Sequence, residues 1–327
     1  MQSAARSDMT LDLLVCPGCR TLRGDRLDVC TLDPAGDDML ACECGRSYPI
    51  IDGVPIVMND GGAYVRNELA TVVERDLSPA AAALLVADGP DDAPYARMLE
   101  HLSIYLDAHW GDRAEPSPGF ALAPFVDRIR ALPRVALAVE LGCSVGRVLG
   151  ELPAERAVGL DMHFGAVRRA RHLLAGESLA YARREVGRHY SVATATGVRA
   201  SDRKLVCADA LDPPLLPDVY DRVVALNMLD SVAHPRQLLS VIDGLCKPGG
   251  ELILSSPYAW QSSVMQEHER IGGADPAAAV RAILSAGENL RARYLIEDDS
   301  EISWTLRRDA RSAVTYRTHY IRARKGT

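Results

Sequence analysis

Two sets of residues in this sequence have the types and spacing to do chemistry. The first is "VELGCSVGR", where Glu140 stands two residues before Gly142 and Cys143, Ser144 and Val145 separate Gly142 from Gly146. Glycines in a turn from strand to helix let the backbone approach a ligand that bulkier side chains would hold off. A second acid, Asp161, ends the next apolar run 21 residues after Glu140. At that spacing a carboxylate can accept hydrogen bonds from both ribose hydroxyls of an adenosine cofactor. A dinucleotide-binding loop would carry glycine where Ser144 stands, and a carboxylate at Glu140 repels phosphate. It suits a cationic amino-acid group, which favours S-adenosylmethionine (SAM). The second set is four thiols in two tight pairs, Cys16/Cys19 and Cys42/Cys44. Four thiolates so spaced make a closed tetrahedral zinc site with no open position for catalysis. The second pair is C-x-C, shorter than the usual C-x-x-C, which leaves Cys30 as an alternative ligand. The side chains of Cys143, Cys207 and Cys246 fall on sheet elements, where core packing is the expectation.

The elements that must position these residues follow from the hydrophobic pattern. Residues 1–60 read as short strands and turns, a zinc ribbon in which the metal would supply much of the folding energy. Residues 61–130 show helical spacing in "NELATVVERDL" and "YARMLEHLSIYLDAHWG". "DGPDDAP" breaks this part and "EPSPG" ends it, so it is expected to be a helical linker or lid that excludes water. In residues 131–327, seven short apolar runs ("VALAVELG", "RAVGLD", "KLVCAD", "DRVVALN", "GELILSSP", "RARYLIEDD" and "VTYRTHYIRAR") are strand candidates, and helical stretches separate the earlier ones. This alternation predicts a doubly wound, Rossmann-like α/β domain with a seven-stranded, mostly parallel sheet.

Composition narrows the setting. No apolar run approaches the ~18 residues a membrane span needs, and no basic stretch leads into a long apolar one at the N-terminus. A cytoplasmic location is therefore expected, where paired cysteines more often hold metal than form disulfides. The chain carries a net charge of −7 over 327 residues. Its first 60 residues hold ten acids against five arginines. That balance argues against a nucleic-acid partner, because phosphate contacts need clustered positive charge. The basic residues cluster instead near the C-terminus, at Arg307, Arg308, Arg311, Arg317, Arg322, Arg324 and Lys325. They read either as a solvated face or as a clamp for a carboxylate ligand.

Taken in order, "VELGCSVGR", "VGLDMH", "VCADALD", "YDRVVALNML" and "LCKPGGELILSSPY" resemble the motif series of class I SAM-dependent methyltransferases over roughly residues 130–325. The resemblance implies that Glu140, Gly142, Cys143, Gly146, Asp161, Met162, Asp209, Ala210 and Asn227 line the cofactor. Asp209 and Ala210 would flank the adenine, and Asn227 would lie near the sulfonium. The N-terminal stretch "LLVCPGC…CGRSYPIIDGVPIVM" resembles the small zinc-ribbon subunit that activates tRNA, rRNA and protein methyltransferases, here fused in cis. More loosely, "HLSIYLDAHWG", "SLAYARREVG" and "SWTLRRDARSAVTYRTHY" look like the methyltransferase domain of ovothiol synthases, which methylates the imidazole of a thiol-bearing histidine.

These resemblances imply N-methylation of a small polar molecule, imidazole- or amino-acid-like. Two alternatives stay open: a tRNA or rRNA methyltransferase, and a non-catalytic SAM-binding scaffold that uses the ribbon to hold a partner. A homo-oligomer is compatible with either. Methyl transfer is an in-line displacement in which holding the nucleophile on axis supplies most of the acceleration. Asn227 and Asp230 after the fourth strand, and Tyr258 and Trp260 after the fifth, are the candidates at the mouth. His234 and His268 are candidate bases. The ribbon is expected to be structural, because its apolar tail "IIDGVPIVM" is too hydrophobic to be left exposed.

Overall fold

A computed structural model of the chain describes residues 11–23, 26–73 and 94–327, together with Ser78, Ala81 and Leu84. The remainder of "NELATVVERDL" beyond Val73, and all of "DGPDDAP" before Pro94, lie outside the described residues.

The N-terminal unit is built from six short strands. β1 (Thr21–Arg23) and β2 (Arg26–Asp28) form a hairpin. β3 (Asp33–Pro34), β4 (Met39–Ala41), β5 (Ser47–Ile51) and β6 (Val54–Pro55) form an antiparallel meander. Among the described residues, two short helices, α1 (Gly61–Asn67) and α2 (Leu69–Val73), and a long one, α3 (Pro94–Trp110), lead through β7 (Ala114–Glu115) and α4 (Ala123–Arg130) into the large sheet.

That sheet uses β8 (Val135–Leu141), β9 (Ala154–Asp161), β12 (Arg203–Cys207), β13 (Tyr220–Leu226), β14 (Cys246–Ser256), β15 (Tyr294–Arg307) and β16 (Ala313–Lys325). The strand order is β12-β9-β8-β13-β14-β16-β15. The first five run parallel, while β16 is antiparallel to both its neighbours. This is a Rossmann-like, mostly parallel sheet of seven strands. The interior strands read as unbroken apolar runs because helices cover both faces. On one face, α7 (Pro235–Leu245) and α8 (Pro276–Ala286) bury Leu238, Ile242, Ile283 and Leu284. On the other, α3, α4, α5 (Arg147–Glu151) and α6 (Phe164–Leu174) bury Trp110, Phe125, Ile129, Leu149 and Leu173.

One element departs from the sequence reading. Between β9 and β12 the chain makes a hairpin, β10 (Ser178–Val186) and β11 (His189–Thr196), and β11 pairs with β7 to form a separate antiparallel sheet. Buried Asp107 of α3 ties it down: Arg183 of β10 reaches Asp107 at 2.8 Å and Arg307 of β15 at 2.7 Å.

The N-terminal unit shares the core of the large domain. Leu13, Leu14, Leu40 and Tyr48 pack into the same cluster as Val139, Leu160 and Val206. Backbone bonds continue the contact: the Val15 N–H donates to the Pro214 carbonyl and the Leu216 N–H to that of Leu13, each at 3.0 Å. Ile56 pairs with Cys207 as a parallel bridge. Ile56 and Val57 are fully buried; burying a side chain of this size contributes about 1.5–3 kcal/mol. Among the described residues, no helix is long and apolar enough to cross a membrane.

Candidate active site

The parallel strands bring their carboxyl ends to one edge of the sheet, where ligands of open α/β folds bind. β8 ends there in Leu141, and the loop that follows is built on left-handed residues: Gly142 at φ +73°, Ser144 at +48° and Gly146 at +80°. A Cβ on Gly142 would lie 2.1 Å from Met228 Sδ, so this position admits no side chain. The N–H groups of Gly142 and Cys143 both donate to the Leu160 carbonyl, at 2.8 and 3.0 Å. That fastens the loop to β9 and turns the Cys143 thiol inward against Gly159.

Glu140 is 2 % exposed, and its Oε2 has no hydrogen-bond partner. Burial, reinforced by the Asp161 charge, raises its pKa well above the ordinary carboxylate range. Asp161 is preset by the backbone. Its two oxygens accept the Ser144 and His163 N–H groups, each at 2.9 Å. Its pKa is raised by burial, and these two bonds oppose the rise. Met162 beside it is exposed, and its carbonyl accepts the Tyr64 hydroxyl at 2.6 Å. At the end of β12, Asp209 Oδ1 accepts the Leu211 N–H at 2.8 Å within its own turn, and Ala210 is buried. The N-terminal unit grips this same turn: the Arg20 guanidinium holds Asp212 and the Pro213 carbonyl, and Asn59 donates to Asp212 at 2.6 Å.

Beyond β13, Asn227 is left-handed (φ +55°). Its N–H donates to the Ser255 carbonyl at 2.8 Å, and Ser255 Oγ donates to its Oδ1 at 3.1 Å. Asp230 is 3 % exposed and accepts Ser256 Oγ at 3.0 Å and the Ala259 N–H at 3.1 Å. Burial raises its pKa. Tyr258 (φ +54°) and Trp260 (φ +27°) follow β14 with ring centroids 5.6 Å apart. The Tyr258 hydroxyl meets His319 Nδ1 at 2.7 Å, and His319 Nε2 meets Asp299 Oδ1 at 2.8 Å.

Four contributors, Tyr105, His101, Trp110 and Arg147, escaped the sequence reading. Tyr105 of α3 stands over the edge, close enough to Asp161, Tyr316 and Asp230 for their charges to raise its pKa, although burial is the larger cause. His101, one turn earlier, stacks on His163 with centroids 5.3 Å apart. Trp110 donates its indole N–H to the Val145 carbonyl at 2.8 Å, and buried Arg147 makes a two-pronged bridge to Asp112 at 2.7 and 2.9 Å. These last two contacts fix α3 against the glycine loop. Nothing local in "YARMLEHLSIYLDAHWG" separates Tyr105 from an ordinary helix residue.

The histidines proposed as bases stand elsewhere. His234 and His268 both lie beside Glu269, at 3.3 and 3.5 Å, and both are largely exposed. The C-terminal cations do not form a free carboxylate clamp. Arg307 is paired with Asp107, Arg308 with Glu100, Arg317 with Glu301, Arg322 and Arg324 with Glu297, and Lys325 with Asp243. The chain's own carboxylates pair with these six; of the seventh, Arg311, the backbone N–H donates to Asp309 at 2.8 Å.

The thiols of Cys16, Cys19, Cys42 and Cys44 lie within 4.8 Å of one another, with Sγ–Sγ distances of 3.9 Å (Cys16–Cys44) and 3.6 Å (Cys19–Cys42). Tetrahedral zinc with bonds of ~2.3 Å places sulfurs about 3.8 Å apart, so the four residues fit the ion. Gly45 (φ +87°) makes the short C-x-C pair reach, its N–H donating to the Cys42 carbonyl at 2.9 Å. Cys30 touches this group through its backbone, its carbonyl accepting the Cys16 N–H at 2.8 Å.

Residues 139–254 match the family model described as a methyltransferase domain. Over that stretch the chain carries a methyltransferase domain. The unpartnered Glu140 carboxylate, the bare left-handed Gly142 and the preset Asp161 are a donor set that fits the aminoacyl and ribosyl parts of SAM. Similar solved structures include a complex from Haloferax volcanii between the Trm112 methyltransferase activator and a protein described as a putative methyltransferase. That match has 16 % identity and a TM-score of 0.43, covering 78 % of this chain and 100 % of that one. The N-methyltransferase NodS of Bradyrhizobium japonicum matches at 13 % identity and a TM-score of 0.39, covering 77 % and 100 %. Phosphoethanolamine N-methyltransferase 2 of Haemonchus contortus matches at 16 % identity and a TM-score of 0.35, covering 51 % and 34 %. No curated protein matches the sequence.

Proposed function

We propose that the enzyme methylates a nitrogen of a small polar acceptor, imidazole- or amino-acid-like, and that its N-terminal unit is a structural zinc ribbon. The observation that carries the acceptor class is the lining of the edge. Asp230 is a buried carboxylate there, and Tyr105, Tyr258 and Trp260 provide aromatic surface near it. Carboxylate plus aromatic faces recognises a flat or cationic nitrogen compound. It repels a phosphodiester backbone.

Bound SAM supplies an electrophilic methyl on a sulfonium. Glu140, Gly142, Gly146, Asp161, Met162, Asp209 and Ala210 would hold it, with Cys143 contributing backbone only. Asn227, locked by Ser255, and Asp230, locked by Ser256, would orient the acceptor. Tyr105 on α3 would close the site over both ligands and keep water out. In the ribbon, Cys16, Cys19, Cys42 and Cys44 would hold one zinc, with no position left open for chemistry.

Calorimetry with SAM and with its demethylated product, followed by transfer from methyl-tritiated SAM to amine and imidazole acceptors and to bulk tRNA, tests this reading. Label on the small acceptors and none on tRNA is expected. Label on tRNA would establish the RNA alternative, and absence of SAM binding would reject both.

A further inference from the structure

We infer that Tyr258, His319 and Asp299 form a proton relay, and that the methyl acceptor therefore enters the site as a neutral nitrogen compound with an N–H proton to give up. This rests on the methyltransferase reading above and adds the protonation state of the substrate to it.

The geometry is a continuous chain. The Tyr258 hydroxyl stands 2.7 Å from His319 Nδ1, and His319 Nε2 stands 2.8 Å from Asp299 Oδ1. The order of donors follows from chemistry. A carboxylate oxygen accepts, and Arg281 lies 3.3 Å from Asp299. His319 Nε2 must then carry the ring proton, which leaves Nδ1 of the neutral ring to accept the Tyr258 O–H. His319 is 4 % exposed, so its orientation is held by these two bonds and by the sheet. β16 carries it opposite Glu301 of β15.

Tyr258 is held as firmly as its partner. It is one of few non-glycine residues at positive φ, and its N–H donates to Ser256 Oγ at 3.0 Å, the same hydroxyl that bonds Asp230. Such strained backbone persists where the surrounding structure over-determines it. The charges that reach Tyr258 are Arg281 on α8, Glu301 and Asp299 on β15, and Asp230 after β13. A purely structural tyrosine at a strand end does not need a histidine whose far nitrogen is pinned by a carboxylate.

The step balances as follows. The lone pair of the neutral acceptor nitrogen takes the methyl group, whose bond to sulfur breaks with both electrons staying on sulfur, and the cation so formed gives an N–H proton to Tyr258 Oη, from the same nitrogen in an amine and from the other ring nitrogen in an imidazole. The Tyr258 proton passes to His319 Nδ1, and the resulting imidazolium faces Asp299. Tyr258 is the catalytic residue; His319 and Asp299 are positioning residues that act through it. An acceptor without an N–H, such as a tertiary amine or an N-methylimidazole, would gain nothing from the relay.

The test uses the full chain, with imidazole, histamine and L-histidine as acceptors and methyl-tritiated SAM as donor. Tyr258→Phe and His319→Gln should each lower kcat by roughly 100-fold near neutral pH, with SAM affinity unchanged. Asp299→Asn should lower it less. The acid-side inflection of the wild-type pH–rate profile should vanish in His319→Gln. The ¹⁵N resonances of the His319 ring should show a protonated Nε2 and an unprotonated Nδ1. An Nδ1–H tautomer, or a Tyr258→Phe enzyme with wild-type kcat, overturns the relay. A wild type that binds SAM but labels none of the three acceptors overturns it too and leaves the methyltransferase reading standing. A wild type that does not bind SAM removes that reading itself.

Discussion

Ile56 and Cys207 lie side by side in parallel register, so the last apolar segment of the ribbon joins the sheet at the free edge of β12. The Val57 N–H donates to the Cys207 carbonyl at 3.0 Å, satisfying an edge that would otherwise invite another chain. Because Ile56 is fully buried, Ile56→Ala should destabilise the whole protein by about 2–5 kcal/mol, read as a shifted midpoint of a single urea transition. Removal of residues 1–60 should make the remainder aggregate. A truncated protein that stays monomeric, stable and SAM-competent but loses turnover would make the ribbon a recognition element.

One zinc per chain is expected by elemental analysis, lost on Cys16→Ser or Cys19→Ser and kept on Cys30→Ser. Retention of metal in Cys42→Ser together with its loss in Cys30→Ser would reassign the ligand set. Chelation should lower Tm along with metal content, since metal binding is coupled to folding in so small a unit.

Asp161→Ala should weaken SAM binding by about 1–3 kcal/mol, the scale of a charge-assisted hydrogen bond. Gly142→Ala should abolish it, because the new Cβ meets Met228 Sδ and sits at a positive φ. Calorimetry distinguishes the two. Equal modest losses would mean that the loop relaxes.

Acid should destabilise the fold through His109. It is 7 % exposed, its Nδ1 has no hydrogen-bond partner, and burial first, then the Arg147 charge, lower its pKa from 6.5 to about 3. Above pH 6.5 the ring is neutral whether the chain is folded or not. Below that the unfolded chain takes up a proton that the folded one refuses, so stability falls as pH drops from 6.5 toward 3, by about 5 kcal/mol in all. Urea titrations across this window should show a flatter slope for His109→Gln. An unchanged slope would place the acid sensitivity elsewhere.

What the sequence made legible tracks how local each signal is. The interior strands could be read because burial on both faces leaves apolar runs such as "VALAVELG", and the glycine loop because it needs glycine where the backbone is left-handed. The β10–β11 hairpin could not, because its partner is Ala114–Glu115 and its anchor is Arg183 on Asp107, a buried charge pair that looks like surface polarity in one dimension. Tyr105 and His319 were hidden for the same reason. Each reaches the edge through contacts made far along the chain, Tyr105 through Trp110 on Val145 and His319 through the pairing of β16 with β14.

Arg147→Ala should unseat α3. It would leave Asp112 without its two-pronged partner and remove the guanidinium that lies 5.2 Å from the Trp110 ring centroid. Arg147 is buried but Asp112 is 32 % exposed, so the loss is about 1–3 kcal/mol, the scale of hydrogen bonds to a charged group. Faster hydrogen exchange across residues 101–110 in the variant than in the wild type would confirm that this contact holds the helix down. Equal protection would show that Trp110 alone suffices.

The bridge from Ile56 to Cys207 also sets an order of events during synthesis. Ile56 leaves the ribosome well before its partner exists, and at ~5–20 residues per second the interval is on the order of 10–30 s. Throughout that time "IIDGVPIVM" has no edge to join, while Cys16, Cys19, Cys42 and Cys44 are already translated. Metal captured then would close the ribbon's own strands around the waiting segment and shorten the exposed apolar stretch. Zinc supplied during translation should therefore raise the soluble yield, and zinc added after purification should not recover what was lost.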